Sequence, residues 1–330
     1  MNFGYHMLAR ALVLCFVALS PLATSSAQTA LKFAHVYEVA TPYHEAALQA
    51  AEMLEERSEG RYTMEVFPAS SLGSEEEINE ALGLGIIDVI YTGAGFASRA
   101  YGPIGITDFP FTLRNLNHWR AYRDSDLFAE LSQGYQDATG NEVAALVYYG
   151  SRHVTSNKPI LTPEDMENLK IRVPNAPAYV LFPEVVGANP TPMAFSEVYL
   201  ALQQGVVDAQ ENPLPTIQFK KFYEVQSDIN LTGHITNSLV TVISGMRASG
   251  MSEEDKALLV EVLQESADWA SSQIEQAENE LADWFREQGV NVHEVDRAPF
   301  IEAVRPALLD DDRPWEADVY ERLQAIEDAN

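Results

Sequence analysis

Two arginines in the middle of the chain stand where a side chain can do chemistry. Arg152 lies in Tyr148-Tyr149-Gly150-Ser151-Arg152-His153, directly after an apolar run. Arg172 lies in Ile171-Arg172-Val173-Pro174-Asn175, at the end of a short β-branched run. An arginine at a strand C-terminus points into a cleft, where its planar fork grips a carboxylate by two parallel charge-assisted hydrogen bonds. A third segment runs from Thr191 to Tyr199 and on to Asp208-Ala209-Gln210-Glu211-Asn212-Pro213. It offers Asn212 as an amide donor and Phe195 as either core or a wall against a ligand's apolar face; periodicity alone favours core. With 21 Lys+Arg against 49 Asp+Glu, an ordinary arginine here is an ion-pair partner for some carboxylate. Two at strand mouths in one half of the chain weaken that reading. In the first half, His35, Glu38, Glu75 and Thr92 are candidates from loop position alone. For Glu75 and its neighbour Glu76 a solvated surface is the plainer account.

The motifs of cofactor and metal chemistry fail. There is no G-x-x-x-x-G-K-[ST] loop, and Gly93-Ala94-Gly95-Phe96-Ala97-Ser98 puts Ser98 where a dinucleotide fingerprint needs its third glycine. That loop reads instead as a tight strand end where backbone approaches something closely. His44-Glu45 lacks the second histidine of H-E-x-x-H, and no G-x-S-x-G elbow occurs. One cysteine excludes a disulfide framework and a Cys-based zinc site. The sequence therefore predicts no cofactor, no metal and no assembled catalytic constellation.

The 330 residues suffice for one large core or two ordinary domains, and 46% hydrophobic residues argue for a folded chain despite a net charge of −28. Such a surface repels nucleic acid and anionic lipid. Few Lys and many acids suit a high-salt habitat or simply an acidic exported protein. Residues 1–27 read as a secretory signal: Arg10, an apolar stretch from Ala11 to Leu22, then Ser25 and Ala27 at a small-residue cleavage site. The stretch is too short for a membrane anchor. Cys15 follows Leu14 rather than a small residue, which speaks against a lipid anchor.

The elements that must hold these residues alternate. Leu31–His35, Tyr62–Pro68 and Asp88–Thr92 read as strands, separated by a helix from Thr41-Pro42 to Gly60 and a second one opened by a Ser74/Glu77 capping box. The pattern repeats with strands at Val143–Tyr149, Lys170–Val173, Val206–Gln210, Leu239–Ser244 and Val290–Val295. Helices are expected at Ala178–Val186, Phe195–Gly205, from Ser252 to about Gln288, and over the charged end of the chain. This order predicts an α/β fold with parallel strands, two halves joined by crossing strands, and a shared cleft at strand C-termini. The long helix is able to lie across both halves.

The run TPMAFSEVYLALQQGVVDAQENP, with RVPNAP before it and LGSEEEINEALGLGIIDV in the first half, resembles the solute-binding subunits of TRAP (tripartite ATP-independent periplasmic) transporters. It looks closest to the branch that carries sialic acid, uronates and related sugar acids. The resemblance covers essentially the whole chain after the signal. It implies a two-lobed periplasmic binding protein, with hinge-linked α/β domains over 28–149 plus about 238–277 and over 150–237 plus about 278–330. It implies Arg172 as the main salt bridge to the ligand carboxylate, Arg152 and Asn212 as its supports, and Phe195 as pocket lining. Ala209, where many relatives have Gly, is a small departure away from the site. A carrier of this kind closes on its ligand in the periplasm and docks on TRAP membrane permease subunits. Transport driven by an ion gradient agrees with the missing P-loop. The acids Glu38, Glu75 and Glu76 suit sugar hydroxyls better than a second carboxylate, unless Arg99 turns inward. A polyhydroxylated monocarboxylate is therefore expected. The alternatives are a C4-dicarboxylate or other organic acid, or an enzyme acting on sugar acids.

Overall fold

The computed structural model describes residues 28–310 and 312–329. The expected signal, with Arg10 and Cys15, lies outside the described residues. Nine strands form one sheet: β1 Thr29–Ala34, β2 Tyr62–Phe67, β3 Val89–Gly93, β4 Glu142–Ser156, β5 Lys170–Val173, β6 Asn189–Pro192, β7 Ala209–Pro213, β8 Asp228–Ile243 and β9 Asn291–Glu294. Their order is β2-β1-β3-β8-β4-β7-β5-β6, with β9 against β8. β1 pairs in parallel with β2 and β3, and β5 with β6 and β7, so each half has the expected parallel set.

Two long antiparallel strands join the halves. β8 meets β3 through Leu239–Ile243 and β9 through Asp228–Leu231, while β4 meets β7 through Arg152–Thr155. The β4–β8 ladder slips between Tyr148 and Gly150 and again between Arg152 and Val154. Gly150 has φ +116, and a Cβ there would lie 2.7 Å from the Pro213 side chain, so only glycine fits this kink.

The second half of β4 and the first half of β8 were not foreseen. Gly150-Ser151-Arg152 ends an apolar run, and Asp228–Asn237 reads as polar. Those polar groups are nevertheless buried and satisfied within the sheet: Asn230 Nδ2 donates to Val154 O and Ser156 Oγ, and its Oδ1 accepts from Ile160 N. β7 begins three residues later than expected and carries Glu211 and Asn212 in the strand itself. The edge strand β6, Asn-Pro-Thr-Pro, had no apolar signal; an edge tolerates proline.

Ser252 caps the long helix Glu253–Glu287, which spans about 52 Å. Leu259, Val262 and Ile274 pack into the larger core, and Leu281 and Phe285 into a separate core with Ile217, Phe222 and, from β8, Ile229. This one helix thus serves both halves. Helices Leu116–Arg123 and Asp126–Thr139, capped by Asn115 and Ser125, were not anticipated either. Among the described residues no helix is long and apolar enough to cross a membrane.

Candidate ligand-binding site

The cleft between the halves narrows to a cavity of about 30 Å³, lined from one side by Tyr37, Glu75 and Phe96 and from the other by Arg152, Arg172 and Phe195. That is room for about one water, whereas ligand pockets hold roughly 300–1,000 Å³. At that volume the cavity has no room for a sugar-sized molecule. A second cavity of about 50 Å³ borders the same Arg172, Phe195, Phe96 and Glu75.

Arg172 is the last residue but one of β5, just before the chain turns at Pro174, and it is 2% exposed. Its Nε and Nη2 both donate to Met193 O, at 3.1 and 2.7 Å. Its Nη1 is buried with no partner among the described residues. Burial pushes this guanidinium down to about 10; Arg152 reinforces that and Glu211 opposes it. It stays cationic at neutral pH with three of its five N–H donors unused, two of them on Nη1.

Arg152 is placed by the β4–β7 pairing, which sets it opposite Pro213. Its Nε and Nη2 grip the Glu211 carboxylate, Nη2 also reaches Glu211 O at 2.7 Å, and Nη1 donates to Asn237 Oδ1 at 2.8 Å. Burial opposes the charge on Arg152, but Glu211 outweighs it and raises the group above its ordinary value. Burial likewise opposes ionised Glu211, and Arg152 with His234 holds it below the usual carboxylate range. His234 Nε2 lies 3.2 Å from Glu211 Oε2. The fork expected to support a ligand carboxylate is therefore committed to Glu211. One N–H of its five is left over, and the pair is near neutral. Arg172 is the cation of the cavity.

Asn212 lines the cavity, its Nδ2 donating to Gln210 Oε1 and its Oδ1 accepting from Tyr149 OH. Phe195 is half-buried, lies edge-on to Tyr37 and beneath the Arg172 guanidinium at 6.0 Å. It is a cavity wall that also touches both cores.

The first-half candidates separate. Glu75 opens the helix Glu75–Gly83, behind the expected Ser74/Glu77 capping box, and lines the cavity. Its Oε1 accepts from Gly93 N at 2.6 Å and Thr92 Oγ1 at 3.1 Å; burial pushes its carboxyl up to about 7. Thr92 positions Glu75 and does not line the cavity. His35 is also set back: its Nδ1 accepts from Tyr37 N, its ring stacks on Tyr37, and burial with His44 beside it pushes it down to about 3. Glu38 bridges the cleft mouth to Lys220 at 2.7 Å. Glu76 takes Arg99 and Asn175 Nδ2, and Arg99 Nη2 donates to Asn175 O, so Arg99 faces the rim, not the cavity.

Reading along the sequence missed a network that reaches the cavity wall through Tyr179 and Asn237 and centres on Asp108 behind it. Asp108 accepts from Tyr179 OH, Asn237 Nδ2 and Gly95 N at 2.6–2.7 Å, and burial raises its carboxyl. The close approach expected at Gly93 and Gly95 is to Tyr179: a Cβ at either glycine would lie within 3.0 Å of that side chain. Tyr149 and Glu211 sat inside the motifs already noted, and Tyr179 only in the helix expected over Ala178–Val186. Asp108 and Asn237 carried no local signal. Among the described residues no three His, Cys, Asp or Glu side chains gather to hold a metal ion.

The family model for bacterial extracellular solute-binding protein, family 7, matches residues 33–311. The sialic acid-binding periplasmic protein SiaP of Vibrio cholerae serotype O1 is 33% identical over 319 residues, 96% of this chain and 98% of its own. This chain is a TRAP solute-binding protein of that family. A crystal structure of a TRAP periplasmic solute-binding protein from Polaromonas sp. JS666, bound to D-erythronate, matches at TM-score 0.87 and 31% identity, covering 91% of this chain and 99% of that one. A TRAP protein from Shewanella oneidensis with bound succinate matches at TM-score 0.86 and 25% identity, again over 91% and 99%. The two-lobed fold is thus common to carriers of different acids, and side chains in the cavity must choose among them. The TRAP relatives named here are periplasmic binding proteins rather than enzymes.

Proposed function

We propose that this TRAP solute-binding protein captures a polyhydroxylated monocarboxylate, of the uronate, aldonate or sialic-acid kind, in the periplasm. It delivers that molecule unchanged to the membrane permease subunits of its system. The observation that carries this is the unpartnered Nη1 of Arg172, buried in a cavity whose other arginine is neutralised by Glu211. One uncompensated cation calls for one carboxylate. Glu75 and Asn212 offer polar partners for hydroxyls, and Phe195 a face for C–H groups. A dicarboxylate wants a second cation, and Arg99 is turned to the rim. The relatives' ligands, sialic acid and D-erythronate, fit the same chemistry.

The lobes on this reading divide near Tyr149/Gly150 and Asn237/Ser238, where the β4–β8 register slips. Closure packs Tyr179 on Asp108 and Lys220 on Glu38. A thermal-shift screen over uronates, aldonates, sialic acids and C4-dicarboxylates tests the proposal. A sugar acid at 100 times its Kd adds about 2.7 kcal/mol of stability, and mass spectrometry recovers it unaltered. A melt shifted by succinate or malate alone overturns the ligand class, and a converted ligand overturns the carrier reading.

A further inference from the structure

Away from the cleft, helices Ala298–Leu308 and Ala317–Ala325 and the loop at Phe111–Arg114 enclose a pocket of about 380 Å³ that shares no lining residue with the interlobe cavity. Three arginines line it, Arg114, Arg297 and Arg305, and no acid does, in a chain with 49 acids. Arg114 is paired with Asp328. Arg297 and Arg305 make no ion pair among the described residues. Arg297 Nη2 donates to Gly233 O at 2.7 Å, while its Nε is buried without a partner. Arg297, Ile301, Arg305 and Leu308 follow the spacing of one helix face, so the apolar and cationic surfaces are interleaved.

The opposite wall is strained. Phe111 has φ +57, a left-handed conformation that a bulky residue adopts at a cost. It is held there by its N–H donating to His234 O at 2.8 Å, and its ring lies 5.5 Å from the Arg297 guanidinium. Strain that places an aromatic face against an under-partnered cation, in a volume of ligand size, marks a built surface.

We propose that this pocket is a second ligand site, taking a small amphipathic monocarboxylate. The carboxylate meets Arg297 and the rim charge of Arg305, and the apolar tail lies on Phe111, Ile301 and Leu308. Calorimetric titration with hexanoate tests it, in the wild type and in Arg172→Met, which disables the cleft. Saturable binding is expected in both, within twofold of each other. Arg305→Glu, an exposed change that leaves the fold intact, weakens it at least tenfold. Arg297→Met abolishes it, and hexylamine does not bind. Absence of saturable hexanoate binding overturns the proposal. So does binding that disappears in Arg172→Met but survives Arg305→Glu, since hexanoate then occupies the cleft. Should Arg297→Met fail to fold, Arg305→Glu decides alone.

Discussion

Arg172→Met should separate affinity from stability. On the proposed reading the ligand carboxylate sits in a dry cavity against Nη1, and removing the guanidinium leaves that carboxylate buried and unpaired. Breaking a buried ion pair by deleting one partner costs about 3–5 kcal/mol, and about 1.4 kcal/mol is tenfold in Kd. Calorimetric titration with the sugar acid found by screening should therefore show affinity falling by more than about a hundredfold. Without ligand the sign reverses. Arg172 is 2% exposed and its Nη1 unpartnered, and its lowering from an ordinary 12.5 to about 10 disfavours the charged form by about 3 kcal/mol. Methionine fills much of the same space with no charge to desolvate. The unliganded variant should melt at or above the wild-type temperature in calorimetry. Binding within threefold of wild type would refute the reasoning, because the carboxylate would then lie on some other group.

Three more perturbations have defined outcomes. Glu75 is raised to about 7 when folded, so the folded state binds more protons than the unfolded one between about pH 4.5 and 7, and stability from this group falls as pH rises through that window. The melting-temperature difference between Glu75→Gln and wild type should be near zero at pH 4 and grow in favour of the variant by pH 7.5. Lys220→Ala should weaken ligand binding a few-fold through a faster off-rate in surface plasmon resonance, as a partly exposed ion pair such as Lys220–Glu38 contributes roughly 0–1 kcal/mol. Glu38→Ala added to it should change nothing further, since the two side chains act as one bridge. Glu211→Ala strands the Arg152 charge in the sheet and should lower unfolding free energy by about 3–5 kcal/mol in urea titrations.

Much of this site was written in local pattern. β5 coincides with Lys-Ile-Arg-Val because a β-branched run stops at Pro174, and that stop aims Arg172 into the cleft. The Ser74/Glu77 box fixed the start of the helix that carries Glu75. What stayed hidden depends on groups far apart in sequence. Asn237 reads as a loop residue until Asp108 and Arg152, each on another segment, satisfy both ends of its amide. Glu38 looked like a hydroxyl acceptor, and its neighbour Lys220 lies 182 positions away. Arg152 looked free because its partner Glu211 arrives only through the β4–β7 ladder.

The sheet order also bears on how the polypeptide is made. β3 ends at Gly93, and the strand that covers its open side, β8, pairs with it through Leu239–Ile243. About 150 residues separate the two, and at roughly 5–20 residues per second the ribosome needs about 8–30 s to supply them. Throughout that interval Val-Ile-Tyr-Thr-Gly offers an unpaired edge of high β-propensity, the kind of template on which chains aggregate. No fragment that stops short of the long helix completes either core, because Leu259, Val262 and Ile274 belong to one and Leu281 and Phe285 to the other.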